Sequence, residues 1–270
     1  MKGKKGKCAI CGKYGQLTFE HIPPCSAFNN KPAKPVSGVD LLNDVGANNS
    51  MRMPWETDGL PYTNLQRGMG KYSLCSDCNN KTGKWYGNEY SKFARTISKA
   101  IEEYKGLPEG YVELEGVYPL RFIKQVVSMF CSCTSSEDTS IDELRSFVLN
   151  RDKTGIDTKK YKIYMYITNS TLHKQTGNMV VLKGSSAPYI MKLNEITAYP
   201  LGFTLYYDPQ DHWDLTGFDI TSFAECKFDE RYNITIPWKV MEMNNIIPGD
   251  FRTKEEIEAA IRAQSSDDKN

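Results

Sequence analysis

The segments Cys8-Ala-Ile-Cys11, Glu20-His21 and Cys75-Ser-Asp-Cys78-Asn79 decide the reading of this chain. A C-x2-C spacing lets two thiolates reach one ion from a tight turn, and Zn2+ favours four sulfur ligands in a tetrahedron. Cys8, Cys11, Cys75 and Cys78 therefore predict one closed, structural Zn2+ site. The 63 residues between the pairs exceed ordinary finger spacing, so a subdomain is inserted between them. The remaining thiols carry less. Cys131 and Cys133 end an apolar helix and read as buried, whereas Cys25 and Cys226 are isolated.

Glu20-His21 lies inside that bracket, at the end of LTFEHI (17–22), which alternates as a short strand and stops at Pro23-Pro24. An imidazole titrates near neutrality and can take a proton from water. A carboxylate beside it can hold a hard cation through oxygen. Neighbours on a regular strand point to opposite faces, so a bend is expected there if both are to reach one site. His173 and His212 fall in expected loops without such company. Asn79 follows the last thiol near the start of a helix. Its amide oxygen suits a divalent ion that keeps several waters, and it is equally a good N-cap.

Outward from the motif, residues 29–70 are rich in Asn, Gly and Pro and read as a long irregular excursion. From Asn79 a helix is expected, since Tyr86, Tyr90, Phe93, Ile97, Ile101 and Tyr104 recur on one face. Gly83 and Gly87 weaken its first turns by about 1 kcal/mol each relative to Ala. LPEGYVELEG (107–116) reads as a linker or short hairpin, and 118–130 and 141–149 as helices. Beyond 158, β-branched and aromatic runs at 160–167, 178–184, 188–199, 202–208, 217–223 and 231–238 predict an antiparallel sheet of five or six strands. A last helix at 255–263 opens on the capping box Thr253-x-x-Glu256.

The expected fold class is α+β, with a zinc-bearing N-terminal unit at 1–105 and an accessory unit at 107–270. The net charge of +1 hides an asymmetry. Residues 1–100 hold 15 Lys/Arg and 7 Asp/Glu, while the remainder holds 19 and 26. The basic half is the one with the Cys/His constellation, which favours a polyanionic partner there. Its MKGKKGK arm also reads as a plain solvated tail. No apolar run reaches the roughly 20 residues of a membrane helix and no secretory signal is evident, so a cytoplasmic protein with reduced thiols is expected.

Thiol pair, acid–His, thiol pair, Asn and helix together resemble the HNH, or ββα-metal, endonucleases, closest to the zinc-bearing type of phage endonuclease VII. The resemblance covers about residues 5–100. It implies that His21 is the general base of phosphodiester hydrolysis in DNA and that Glu20 and Asn79 hold a catalytic Mg2+ or Mn2+. It also implies that Cys8, Cys11, Cys75 and Cys78 hold the structural zinc. Asn64, with Asn43 as rival, would fix the loop carrying the His. The acid is Glu where the family usually has Asp, and Gly83 stands where many members place another His. Lys81, Lys84 and Arg67 are the expected phosphate contacts, and Trp85 either packs on the knuckle or stacks on a base. The acidic residues 107–270 lack a catalytic set and suggest a specificity or partner-docking role, with a bacterial or phage defence function implied. The reading from another class is a non-catalytic zinc knuckle that binds nucleic acid or protein, which would need neither Glu20 nor His21.

Overall fold

A computed structural model describes residues 4–47, 53, 55–106, 109–184, 188–243 and 245–267. Three short strands form the N-terminal sheet in the order β1 (Lys5–Lys7), β2 (Tyr14–His21), β3 (Gly70–Cys75), all antiparallel. The first thiol pair sits in the turn between β1 and β2. Gly12 closes that turn at φ +70°, a left-handed conformation that favours glycine, and donates its N–H to the Cys8 carbonyl. β2 runs through His21, as its alternation predicts. The excursion that follows is less irregular than its composition suggests. It contains helix α1 (Gly38–Ala47) and two isolated bridges, Ala33 to Leu65 and Val36 to Tyr62.

β3 passes directly into α2 (Ser76–Thr82), so the helix begins three residues earlier than expected. Cys75 is the N-cap and makes no side-chain cap bond, which removes the N-cap reading of Asn79. The two weak glycines, Gly83 and Gly87, bound a π turn that leads into α3 (Asn88–Glu103). Tyr86 within the turn is fully buried, and its hydroxyl donates to the Val148 carbonyl at 2.7 Å. α3 buries Tyr90, Phe93, Ala94 and Ile97, the face that the periodicity marked.

The central element is α4 (Pro119–Cys133), opened by a proline whose missing N–H costs nothing in the first turn. It is buried on nearly every side, including Cys131 and Cys133. Phe122 stacks on Phe93 with ring centroids 4.1 Å apart. Lys124 is buried within this helix, where its Nζ donates to the last carbonyls around α5 (Asp142–Leu149), Phe147 at 2.7 Å and Asn150 at 2.5 Å. Burial pulls its pKa down to about 7.

β4 (Gly110–Val117) occupies the segment read as a linker. It pairs antiparallel with β11 (Tyr232–Trp238), which is thereby withdrawn from the expected sheet. The larger sheet contains β5 (Tyr161–Thr168), β6 (Lys174–Gln175), β7 (Met179–Lys183), β8 (Tyr189–Ala198), β9 (Leu201–Tyr207), β10 (Phe218–Asp219) and β12 (Val240–Met241). Its spine runs β10-β5-β9-β8-β6, with β7 on β8, and β12 on β5 is the one parallel pair among these strands. Residues 221–223, the end of a run expected as strand, fall in a 3-10 turn over Thr221–Glu225. α6 (Lys254–Asp267) opens on the anticipated box: Glu256 N–H donates to Thr253 Oγ1 and Thr253 N–H to Glu256 Oε2.

The architecture is thus α+β. One hydrophobic core runs from Cys8 to Trp238 and takes in residues on both sides of the 105/107 boundary. Among the described residues no helix is long and apolar enough to cross a membrane.

Candidate functional site

The four sequence-marked thiols come together. Cys8, Cys11, Cys75 and Cys78 place their Sγ atoms within 4.8 Å of one another, and Cys11 Sγ lies 3.8 Å from Cys75 Sγ. Four sulfurs at a Zn–S distance of 2.3 Å stand about 3.8 Å apart in a tetrahedron. The donor set and its spacing therefore fit Zn2+. Electrostatics agree. The Cys78 thiol donates toward Cys8 and, with the backbone N–H groups of the knuckle, lowers the Cys8 pKa to about 4 against its burial. Cys78 is in turn pushed far above the usual thiol range by that bond, by burial and by the Cys8 charge. A cluster that resists a second negative charge is one that a dication stabilises.

The knuckle is locked from both halves of the chain. Ala9 donates its N–H to the Ser73 carbonyl at 2.8 Å. The buried Arg145 of α5 donates its Nε–H to the Ala9 carbonyl at 2.8 Å and three further N–H groups to Ser135 O, Asp138 O and Asp142 Oδ1.

The second constellation stands at the end of β2. Phe19 and His21 share one face, with ring centroids 5.1 Å apart, and Glu20 alternates to the other. The register irregularity expected near this pair falls two residues upstream, between Thr18 and Phe19. Glu20 is 8% exposed, and among the described residues its carboxylate has no hydrogen-bond or ion-pair partner. Burial alone pushes its pKa up to about 8. An anion in that position needs a cation or a proton.

His21 Nε2 lies 2.9 Å from the Arg67 carbonyl. A carbonyl only accepts, so Nε2 carries the proton and Nδ1 keeps the free lone pair. Asn79 is brought to β2 from α2: its Nδ2 donates to Thr18 Oγ1 at 2.9 Å and to Phe19 O at 3.4 Å. With the nitrogen anchored to the strand, the amide oxygen is the atom left for a cation. Among the described residues the four thiols are the one group of three or more His, Cys, Asp or Glu placed to hold an ion. An ion at Glu20 would thus have a single carboxylate and be completed by neutral oxygens and water, a set suited to Mg2+.

Asn64 is exposed and makes no hydrogen bond among the described residues, and Asn43 is exposed on α1. Arg67 serves His21 through its carbonyl, with its side chain exposed. Lys81 is paired to Asp77 at 2.8 Å, while Lys84 is exposed on the π turn. Arg52, a further basic residue near the motif in the sequence, lies outside the described residues. Trp85 packs against the core, the simpler of its two expected roles.

Three residues that the sequence reading passed over hold the His21 loop. Buried Asn29 donates Nδ2 to Pro23 O at 2.6 Å and Met69 O at 2.7 Å, and its Oδ1 accepts Met69 N–H at 2.6 Å. This clamp joins the chain leaving His21 to the chain entering β3. Gly68 makes the crossing possible: at φ +100°, any Cβ there would sit 2.1 Å from the Asn29 carbonyl oxygen. From β6 and the residue before it, Gln175 Nε2 and His173 Nε2 reach the Ile22 carbonyl at 2.7 and 2.8 Å. An Asn in an Asn-rich loop and a His far along the chain carry no spacing signal that would have marked them.

No protein-family model matches this chain, and neither a curated protein nor a solved structure matches it.

Proposed function

We propose that the chain is a metal-dependent endonuclease of the HNH, ββα-metal type that hydrolyses phosphodiester bonds of DNA. The observation that carries this reading is the state of His21. It ends one strand of an antiparallel pair, its Nε2–H is committed to the Arg67 carbonyl, and the helix after the return strand brings Asn79 back to the same strand. A fixed tautomer with a free Nδ1 is what a general base requires. A knuckle that only bound nucleic acid would need neither that imidazole nor a buried, unpartnered Glu20.

In this reading His21 Nδ1 takes a proton from the attacking water while the Arg67 carbonyl stabilises the imidazolium that forms. Glu20 and the Asn79 oxygen would hold Mg2+ or Mn2+, which would supply charge neutralisation at the phosphate and the leaving oxygen once the strand end turns the Glu20 carboxylate toward the His21 face, from which it alternates away here. The four thiolates would hold zinc as a structural pin. Lys84 and Arg67 have exposed side chains for phosphate contact, with Lys81 partly neutralised by Asp77. The chemistry belongs to residues 1–105, and residues 107–270 supply support through Arg145, His173 and Gln175.

The test is plasmid nicking by the full chain with Mg2+, Mn2+ or EDTA. His21→Ala is expected to lower the rate by about 10²–10⁴-fold, the usual worth of a general base, with zinc content unchanged. Wild-type nicking by that variant removes His21 from the mechanism.

A further inference from the structure

From the π turn through α3, Lys84, Asn88, Lys92, Arg95 and Lys99 recur every three or four residues, and all are exposed. That spacing places them on one helical face, opposite the buried Tyr90, Phe93 and Ile97. The run from 84 to 99 spans about 22 Å, the axial rise of about six base pairs.

At the middle of the stripe, Ser26, Ser91, Lys92, Arg95, Thr96 and Lys99 line an open groove of about 460 Å³. Its walls hold cations, hydroxyls and an amide, with neither a carboxylate nor an apolar side chain among them. The cations are largely unspent. Arg95 gives one N–H to the Ser26 carbonyl at 3.1 Å, and Lys92 reaches only the Gly116 carbonyl, at 3.4 Å. Among the described residues Lys84, Lys92 and Arg95 have no carboxylate partner. Lys99 lies 3.3 Å from Glu103, which ends the stripe. Glu89, the acid at the start of α3, is turned to the Tyr118 N–H.

An exposed charge stripe is often no more than a solvated face. Here it is tied to the proposed catalytic loop. Ser26 lies five residues after His21, its Oγ is 2.5 Å from Ser91 Oγ, and its carbonyl holds Arg95. The groove therefore stands at a fixed place relative to the end of β2. A lining of cations and hydroxyls with no aromatic side chain matches phosphates and sugars and offers no ring to stack on a base.

We propose that this groove is a second, non-catalytic contact for duplex DNA, in which Lys92, Arg95 and Lys99 take successive backbone phosphates beside the cleavage point. The proposal rests on the nuclease reading and adds where the flanking duplex lies.

The experiment uses full-length protein and a fluorescent 30-base-pair duplex, with binding followed by anisotropy between 50 and 200 mM salt in EDTA. Each phosphate contact contributes about 0.9 to the slope of log K against log salt. The triple variant Lys92→Gln, Arg95→Gln, Lys99→Gln is expected to flatten that slope by about 2.7, with its melting temperature unchanged. Lys92→Arg with Lys99→Arg, which keeps the charge, is expected to retain the wild-type slope. An unchanged slope and affinity in the Gln variant overturns the groove while leaving nicking, and so the nuclease reading, intact. A wild-type chain that neither binds nor nicks DNA fails the nuclease reading first. Tighter capture of single-stranded RNA or of anionic lipid vesicles through the same residues overturns the duplex assignment.

Discussion

Asn29→Ala removes the clamp beneath His21. Three hydrogen bonds of 2.6–2.7 Å are lost, two donated by Nδ2 and one accepted by Oδ1. Each contributes about 1 kcal/mol net, and a buried group left unpaired costs a further 1–3 kcal/mol. Met69 O keeps a second donor, Ile22 N–H at 3.0 Å, so the penalty falls mainly on Pro23 O and Met69 N–H. Three bonds at about 1 kcal/mol and two unpaired groups at about 1–3 kcal/mol each sum to about 5–9 kcal/mol, which in a chain of this size lowers Tm by on the order of 20 °C. Because the clamp sets where the chain leaves His21, nicking is expected to fall by about 10²-fold, the cost of a displacement of about 1 Å. Asn29→Asp sharpens the test. It still accepts from Met69 N–H but turns a carboxylate oxygen toward two carbonyls, so it should be at least as damaging as Ala. Thermal unfolding by circular dichroism and plasmid nicking measure both effects. A variant that melts within about 2 °C of wild type and nicks at the wild-type rate refutes the argument.

Cys75→Ser and Cys78→Ser each open a closed tetrahedral site whose binding energy is folding energy, so both should lose zinc and solubility. A full zinc equivalent by elemental analysis would contradict the four-thiolate assignment. Glu20→Gln replaces a buried, unpartnered carboxylate by a neutral isostere. Its Tm in EDTA should match or exceed wild type, while the stabilisation and nicking that wild type gains from Mg2+ or Mn2+ should vanish; an unchanged metal titration places the ion elsewhere. His173 is held neutral, its pKa pulled down from 6.5 to about 4 by burial against the opposing bond to Ile22 O. The unfolded chain binds the extra proton between those values, so this contribution is complete above pH 6.5 and is lost as pH falls toward 4. It amounts to about 3 kcal/mol. His173→Gln should flatten that part of the stability profile, and superimposable acid-unfolding curves would exclude it.

Local patterns were legible in the sequence wherever the chain explains itself. The C-x2-C pairs announce a four-thiol cluster fit for a metal ion, the apolar spacing of 118–130 announces α4, and Thr253 and Glu256 announce the start of α6. The Asn- and Gly-rich stretch concealed α1, because Gly38, Asn43 and Gly46 lower helix propensity and the tertiary context restores it. The segment of β4 reads as a linker or short hairpin because its partner, β11, lies about 115 residues away, and pairing at that range leaves no mark in a local window. Asn29, Arg145 and His173 were missed for the same reason. Each is an ordinary polar residue in sequence, and only the fold supplies the buried carbonyls that give it a task.

That distant pairing sets the order in which the molecule can be completed. β4 leaves the ribosome long before β11, and at 5–20 residues per second the wait is on the order of ten seconds. Arg145, His173 and Gln175 also emerge after every residue of the proposed site that they support. Contacts so far apart in sequence make for slow, late assembly. A nascent chain therefore presents its thiols and His21 before Arg145, His173 and Gln175 can brace them, and the finished geometry waits on those distant contacts.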